Sequence, residues 1–176
     1  MDYLDTFASP VGPLTVASDG DALVGLWLEG QKYFESTLGA SEQRPDLPVL
    51  AEARAWLDRY FAGEEPGPIP AVRPRGTAFR QRVWTMLADI PYGKLTTYGE
   101  LAQRIAEQTG SRASARAVGG AVGHNPISII LPCHRVVGSG GSLTGYAGGL
   151  QKKIALLKLE GVDLAGLTVP TKGTAL

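Results

Sequence analysis

Apolar positions in the first thirty residues come in short runs cut by turn residues. This pattern predicts strands over 3–7, 14–17 and Leu23–Leu28, separated by a Pro-Gly break and by Ser-Asp-Gly-Asp, and hence an antiparallel meander. Further on, Leu50, Ala53, Trp56, Leu57 and Tyr60 or Phe61 recur at spacings of three and four, which predicts one amphipathic helix within 47–61. The stretch GEEPGPIPAVRPRG, residues 63–76, carries neither period and reads as a proline-rich linker.

From residue 77 the period is helical. Thr77 is a candidate N-cap for a helix that buries Phe79, Val83, Trp84 and Leu87 and stops before Pro91. Thr97 caps a second helix, with Glu100 at the third position of a capping box and Leu101, Ala102, Ile105 and Ala106 on its inner face. After a turn at 108–111, RASARAVGGAVG predicts a third helix with Arg112 and Arg116 four apart on one face. Helix, tight turn and short arginine-bearing helix together read as a helix-turn-helix unit. Leu150–Leu159 predicts a last core helix closed by Gly161, and 164–176 reads as a loosely attached tail.

The fold class is therefore α/β in the α+β sense. It comprises a small N-terminal domain, 1–75, with an antiparallel sheet and a helix, and a mostly helical C-terminal domain, 77–165, with the helix-turn-helix; 166–176 is the tail. Gly119 and Gly120 each cost a helix about 1 kcal/mol relative to alanine, so a close approach has to offset them, either a neighbouring helix or a nucleic-acid groove. Ala115, Ala117, Gly119 and Ala121 would let the backbone sit low in a shallow groove while Arg116 projects, a fit suited to the minor groove.

Charge changes the picture in one respect. The formal net charge is zero, yet residues 1–75 hold 12 acids against 6 bases, and 76–176 hold 5 acids against 11 bases. A basic second half favours a polyanionic partner. The apolar stretches are broken well short of the roughly 18 residues a membrane span needs, and the acidic opening MDYLDTFASP does not resemble a targeting segment, so the expectation is a cytoplasmic protein with no membrane partner.

The single cysteine excludes an internal disulfide and a thiolate metal cluster, so Cys133 matters, if at all, as one reactive group. It ends the apolar run IILP, and Pro132 disfavours helix at Leu131, which predicts an extended strand or loop up to the thiol. Adjacent strand residues point to opposite faces, so Cys133 and His134 would need a turn or a bridging water to communicate. His134 and Arg135 are the immediate candidates for a thiolate-favouring environment, and the acids able to orient the imidazole are Asp89, Glu100, Glu107, Glu160 and Asp163.

NPISIILPCHRVVGSGGSLTGYAGGLQKKIALLKLEG, with TTYGELA and RAVGGAVGHNP, resembles the O6-alkylguanine-DNA alkyltransferases, strongly over about 79–161 and only in general plan before that. The resemblance implies direct DNA repair: irreversible, stoichiometric transfer of an alkyl group from O6-alkylguanine, and from O4-alkylthymine, in double-stranded DNA to Cys133, by a monomer with no cofactor and no metal. It further implies His134 as a base acting through water, Glu160 as its orienting acid and Asn125 as part of the hydrogen bonding around the site. Tyr98 would rotate the target nucleotide and assist the leaving guanine. Arg116 would fill the space of the extruded base, with Arg112, Ala115, Ala117 and Gly119 also at the DNA. Tyr146, Ala147, Gly148 and Lys153 would form the substrate pocket, and small Gly145 and Ala147 would leave it open to larger adducts. The stretch between Tyr98 and Arg116 is a few residues longer than the family spacing, through a longer helix or an expanded turn. The alternative is a noncatalytic protein that binds alkylated DNA and recruits repair factors; relatives of that kind lack the acceptor cysteine, which this chain has.

Overall fold

A computed structural model of the chain describes residues 1–170. They fall into two compact units, residues 1–76 with 126–130, and residues 77–125 with 131 onward.

In the first unit, β1 (Asp2–Phe7), β2 (Leu14–Ser18) and β3 (Leu23–Leu28) form the expected antiparallel meander, and β2 and β3 are buried along their whole length. A fourth strand, β4 (Ser41–Gln43), pairs parallel to β1, giving the order β3-β2-β1-β4. All three β4 residues are polar and exposed, so its sequence carries no alternation; backbone pairing alone makes the strand. The helix α1 (Pro48–Phe61) starts with proline at its first turn and buries Leu50, Ala53, Trp56, Leu57 and Tyr60, the stripe that the spacing predicts. The rings of Trp56 and Tyr60 stack 5.7 Å apart within that face.

Two findings depart from the sequence reading here. The proline-rich stretch is not a free linker, because Leu23 N–H donates to Ala71 O at 2.8 Å and Arg73 N–H to Leu23 O at 2.7 Å, fastening it beside β3. Residues 126–130, assigned by sequence to the second domain, belong to the first unit: Leu26 N–H donates to Pro126 O and Ser128 N–H to Leu26 O, at 2.8 and 2.9 Å. The free edge of β3 attracts both segments, since a strand edge is a row of unsatisfied backbone groups. Ile129 in this segment is fully buried with φ +70°, a conformation that costs a side-chain-bearing residue about 1–2 kcal/mol.

The second unit contains α2 (Ala78–Ala88), β5 (Thr96–Thr97), α3 (Tyr98–Thr109), α4 (Ala115–Gly123), 3-10 turns at Cys133–Arg135 and Ser139–Gly141, β6 (Val136–Val137) and α5 (Leu150–Leu159). Thr77 caps α2, and Thr97 with Glu100 forms the capping box of α3. The α2 stripe is Val83, Trp84, Met86 and Leu87; Phe79 is exposed, because only the last two turns of the helix lie against a neighbour. The Trp84 indole N–H donates to Ala121 O at 2.8 Å, joining α2 to α4. β5 and β6 pair in parallel over two residues each, too short for any sequence period. The expected loose tail is attached as far as Thr168, which exchanges backbone bonds with Gly141 and Leu143 while Leu164 and Leu167 pack against the cluster of Val137, Leu143 and Leu157; 171–176 lie outside the described residues. No helix among the described residues is long and apolar enough to cross a membrane.

Gly25 lies directly beneath the buried Trp27 ring, where an added Cβ would fall 2.0 Å from Cη2. Gly25→Ala is therefore expected to destabilise the protein by about 1–3 kcal/mol, read as a lower urea midpoint by far-UV circular dichroism; an unchanged midpoint would show that the ring moves freely.

Candidate active site

The apolar run does not reach Cys133 as a strand. Pro132 adopts φ −81° and ψ 67°, and the chain folds into a 3-10 turn in which Arg135 N–H donates to Pro132 O at 3.0 Å. With three residues per turn, successive side chains fan outward instead of alternating. Cys133, His134 and Arg135 are therefore not set on alternate faces, and all three are buried. Asn125 donates Nδ2–H to Leu131 O at 2.7 Å, tying together the points where the chain leaves and re-enters the second unit.

His134 and Arg135 meet on one carboxylate. Glu160, the C-cap of α5, receives His134 Nε2 on Oε2, and Arg135 Nε at 2.7 Å and Gly93 N–H at 3.0 Å on Oε1. Burial works to raise the Glu160 pKa, but the hydrogen bonds from His134 and Arg135, with the Arg135 charge, outweigh it and hold the acid down at about 2. Burial, with the charges of Arg135 and Lys153, pushes His134 below its usual value despite Glu160, so the imidazole is neutral at pH 7. A carboxylate only accepts, so Nε2 carries the proton and Nδ1 is the basic nitrogen. Of the five acids the sequence left open, Glu160 is the one brought to His134.

Burial raises the Cys133 thiol, opposed by hydrogen bonding from Asn125, the charge of Lys153 and the backbone amides of Cys133 and His134. The cation that favours thiolate is thus Lys153. Arg135, its nearest basic neighbour in sequence, is committed to Glu160. Lys153 is completely buried on α5 and donates Nζ to Val136 O at 2.6 Å and Thr144 O at 2.9 Å; burial depresses its pKa to about 8, against the raising effect of Cys133. The Thr144 carbonyl also accepts the Tyr98 hydroxyl at 2.7 Å, so one oxygen joins α3, α5 and the loop between them. No sequence pattern marks that carbonyl.

The remaining pocket residues follow the same loop. The Tyr146 ring meets His134 edge-on at 6.5 Å, and its hydroxyl is buried with no hydrogen-bond partner among the described residues. Gly148 is required beside it, since a Cβ there would lie 2.8 Å from Tyr146 Cε1; Ala147 between them is half-buried. Gly145 does not open the pocket as expected: a Cβ on it would lie 2.7 Å from the Tyr98 hydroxyl, so the space the glycine vacates is filled by Tyr98.

On the outer side, α4 exposes Ala115, Arg116, Ala117 and Gly120, while Gly119 is half-buried against the Tyr98 ring and Ala121 is buried on the inner face, opposite to its expected place. A Cβ at Gly120 would meet nothing within 4 Å, so no neighbouring helix requires that glycine. α4 starts at Ala115 under the Ser114 cap, which leaves Arg112 in the preceding turn and off the Arg116 face. The longer spacing is taken up by a 12-residue α3 and the connection 110–114. Tyr98, Arg116, Gly119, Ser139, Thr144 and Gly145 wall a pocket of about 520 Å³. Among the described residues no group of three His, Cys, Asp or Glu side chains could hold a metal ion.

This geometry sits in a chain with close relatives. Residues 78–162 match the model of the 6-O-methylguanine DNA methyltransferase DNA binding domain, and residues 3–67 match that of the 6-O-methylguanine DNA methyltransferase ribonuclease-like domain. A methylated-DNA–protein-cysteine methyltransferase of Mycobacterium tuberculosis is 48% identical over 91% of this chain and 93% of its own length. One of Haemophilus influenzae is 45% identical over 90% of this chain and 86% of its own. The crystal structure of Mycobacterium tuberculosis OGT in complex with DNA superposes with a TM-score of 0.77 at 44% identity, covering 90% of this chain and 92% of that one.

Removing a buried cation disfavours the thiolate beside it. Lys153→Met is therefore expected to raise the pH midpoint of Cys133 reaction with iodoacetamide by about one unit, and to slow that reaction about tenfold below the midpoint. An unmoved midpoint in a folded variant would show that Lys153 only holds the two carbonyls.

Proposed function

The chain belongs to the O6-methylguanine-DNA methyltransferase family, and from that premise we propose how its own residues perform the repair of O6-alkylguanine in double-stranded DNA, with Cys133 as the acceptor. The observation that carries the assignment is the single buried cysteine set among Asn125, Lys153 and the backbone amide of His134, the residue whose imidazole Glu160 holds.

The Cys133 proton passes to the neutral His134 through Nδ1, by way of a water, and Glu160 stabilises the imidazolium that results. The sulfur attacks the alkyl carbon; a carbon–sulfur bond forms as the carbon–oxygen bond breaks, and the electron pair of that bond stays on guanine. Tyr98 donates to guanine N3 to offset this charge, for which its hydroxyl must leave the Thr144 carbonyl. Tyr146 covers the relay from solvent, and Ala147 and Gly148 carry backbone close enough to border the base. The thioether has no route back to thiol in this chain, so each molecule acts once.

A stacked base cannot meet a buried thiol, so the nucleotide must leave the duplex at a cost of a few kcal/mol. Arg116, projecting from a helix face of alanines and glycines, takes the vacated place, and Ala115, Ala117 and Gly119 let the α4 backbone approach the groove. Arg112, in the turn before α4, makes a phosphate contact.

Incubation with duplex DNA containing O6-methylguanine is expected to add about 14 Da, once per molecule and on Cys133, with Cys133→Ser still binding DNA but gaining nothing. Tight binding by the wild type without a mass gain would identify a recruiter of other factors, and repeated turnover a hydrolase. Arg116→Ala is expected to slow transfer from duplex DNA by at least about tenfold while reaction with free O6-benzylguanine stays within about twofold; equal losses on both would place the defect in the pocket.

A further inference from the structure

Arg135 carries a buried charge that the transfer steps above do not use. It is 7% exposed, its Nη1 donates to Ile90 O at 2.7 Å, its Nε to Glu160 Oε1 at 2.7 Å, and its guanidinium lies 5.7 Å from the centre of the Tyr92 ring. The carboxylate is thereby divided, with Oε1 held by Arg135 and Gly93 and Oε2 facing His134.

We propose that Arg135 is a positioning residue for alkyl transfer: its clamp on Oε1 keeps Glu160 ionised and fixed in plane, so that His134 holds its proton on Nε2 and offers Nδ1 as the base. This rests on the reading of Cys133 as acceptor. The chemistry follows from where one proton sits. Glu160 is 6% exposed, and burial alone drives a carboxyl toward its neutral form. Without the guanidinium, a protonated Glu160 would donate to Nε2, the imidazole proton would move to Nδ1, and the nitrogen intended to accept the thiol proton would become a donor. The other groups around the relay do not replace Arg135. Lys153 is held by two carbonyls, Gly93 supplies a neutral amide, Tyr92 presents its ring to Arg135, burial holds Tyr146 as the neutral phenol, and Cys133 becomes negative in the reaction.

The chain has only two histidines, so imidazole nitrogens are separately observable by ¹⁵N NMR in the DNA-free protein. Wild type is expected to show His134 protonated on Nε2. Arg135→Met and Arg135→Gln should move the proton to Nδ1, slow alkyl transfer at least about tenfold, and shift the acid limb of its pH profile upward, while Arg135→Lys restores the Nε2 tautomer. In a Glu160→Gln background the Arg135→Met change should cost nothing further, and that double variant has no buried ion pair left to unbalance. A neutral Arg135 variant with wild-type nitrogen shifts and rates, or a further tenfold loss in the Glu160→Gln background, overturns the proposal. Failure of the wild type to take up an alkyl group would refute the acceptor reading instead, and the tautomer measurement is unaffected by it.

Discussion

The site is organised by a single buried carboxylate. Glu160 ends α5, receives the Gly93 amide from the turn after α2, and gathers both residues that follow the cysteine. A carboxylate so deeply buried costs several kcal/mol in desolvation unless ion pairing and hydrogen bonds compensate for it. Here a guanidinium, an imidazole and an amide do so. The price is rigidity: Gly93 has φ +73°, a Cβ on it would come within 3.2 Å of Glu160 O, and the turn admits little else. That rigidity fixes the 3-10 turn, and the turn fixes where the sulfur lies.

The second consequence concerns charge. With Glu160 and Arg135 balancing each other and His134 neutral, Lys153 is the uncompensated buried charge near the thiol. A buried ammonium held only by carbonyl dipoles is unfavourable, and burial depresses its pKa to about 8. It becomes favourable when Cys133 ionises. Stability is thus given up in the resting protein to favour the nucleophile, an arrangement common where strained or charged groups cluster at functional sites.

How much of this was legible in the sequence depends on the type of signal. The α1 stripe, the meander, the Thr97 capping box and the helix-turn-helix are local patterns, and each appears where the spacing puts it, except that α4 begins at Ala115 and leaves Arg112 in the turn before it. Phe79 is misplaced because a period says which residues share a face but not how far the neighbour extends along it, and Ala121 because residues spaced by two do not share a helix face, so that it falls with Val118 and Val122 on the inner side. β4, the β5–β6 pair, and the return of 126–130 to the edge of β3 are backbone pairings between distant segments, which side-chain patterns do not encode. In the site, the rare residues Cys133 and His134 stood out. The link from His134 to Glu160 was available only through family resemblance. The use of Arg135 on Glu160 and of Lys153 near Cys133 reverses the order that sequence proximity suggests, because the 3-10 turn carries Arg135 to the end of α5 while the buried cation beside the thiol comes from within that helix.

The Thr144 carbonyl then connects chemistry with recognition. It accepts Tyr98 from the first turn of α3 and Lys153 from beneath the cysteine loop, and Gly145 has no side chain because the Tyr98 hydroxyl occupies that space. In the DNA-free protein both donors are satisfied, as buried polar groups require. Were Tyr98 to turn to a guanine as proposed, Thr144 would keep Lys153 as its partner, so the oxygen would not be left unsatisfied. Tyr98 in turn lies against Gly119, the one α4 glycine with an internal neighbour, while Gly120 faces open space. The two glycines that weaken α4 therefore face different surroundings: Gly119 makes room for the Tyr98 ring, and Gly120 lies on the open side, where the proposed function puts the groove.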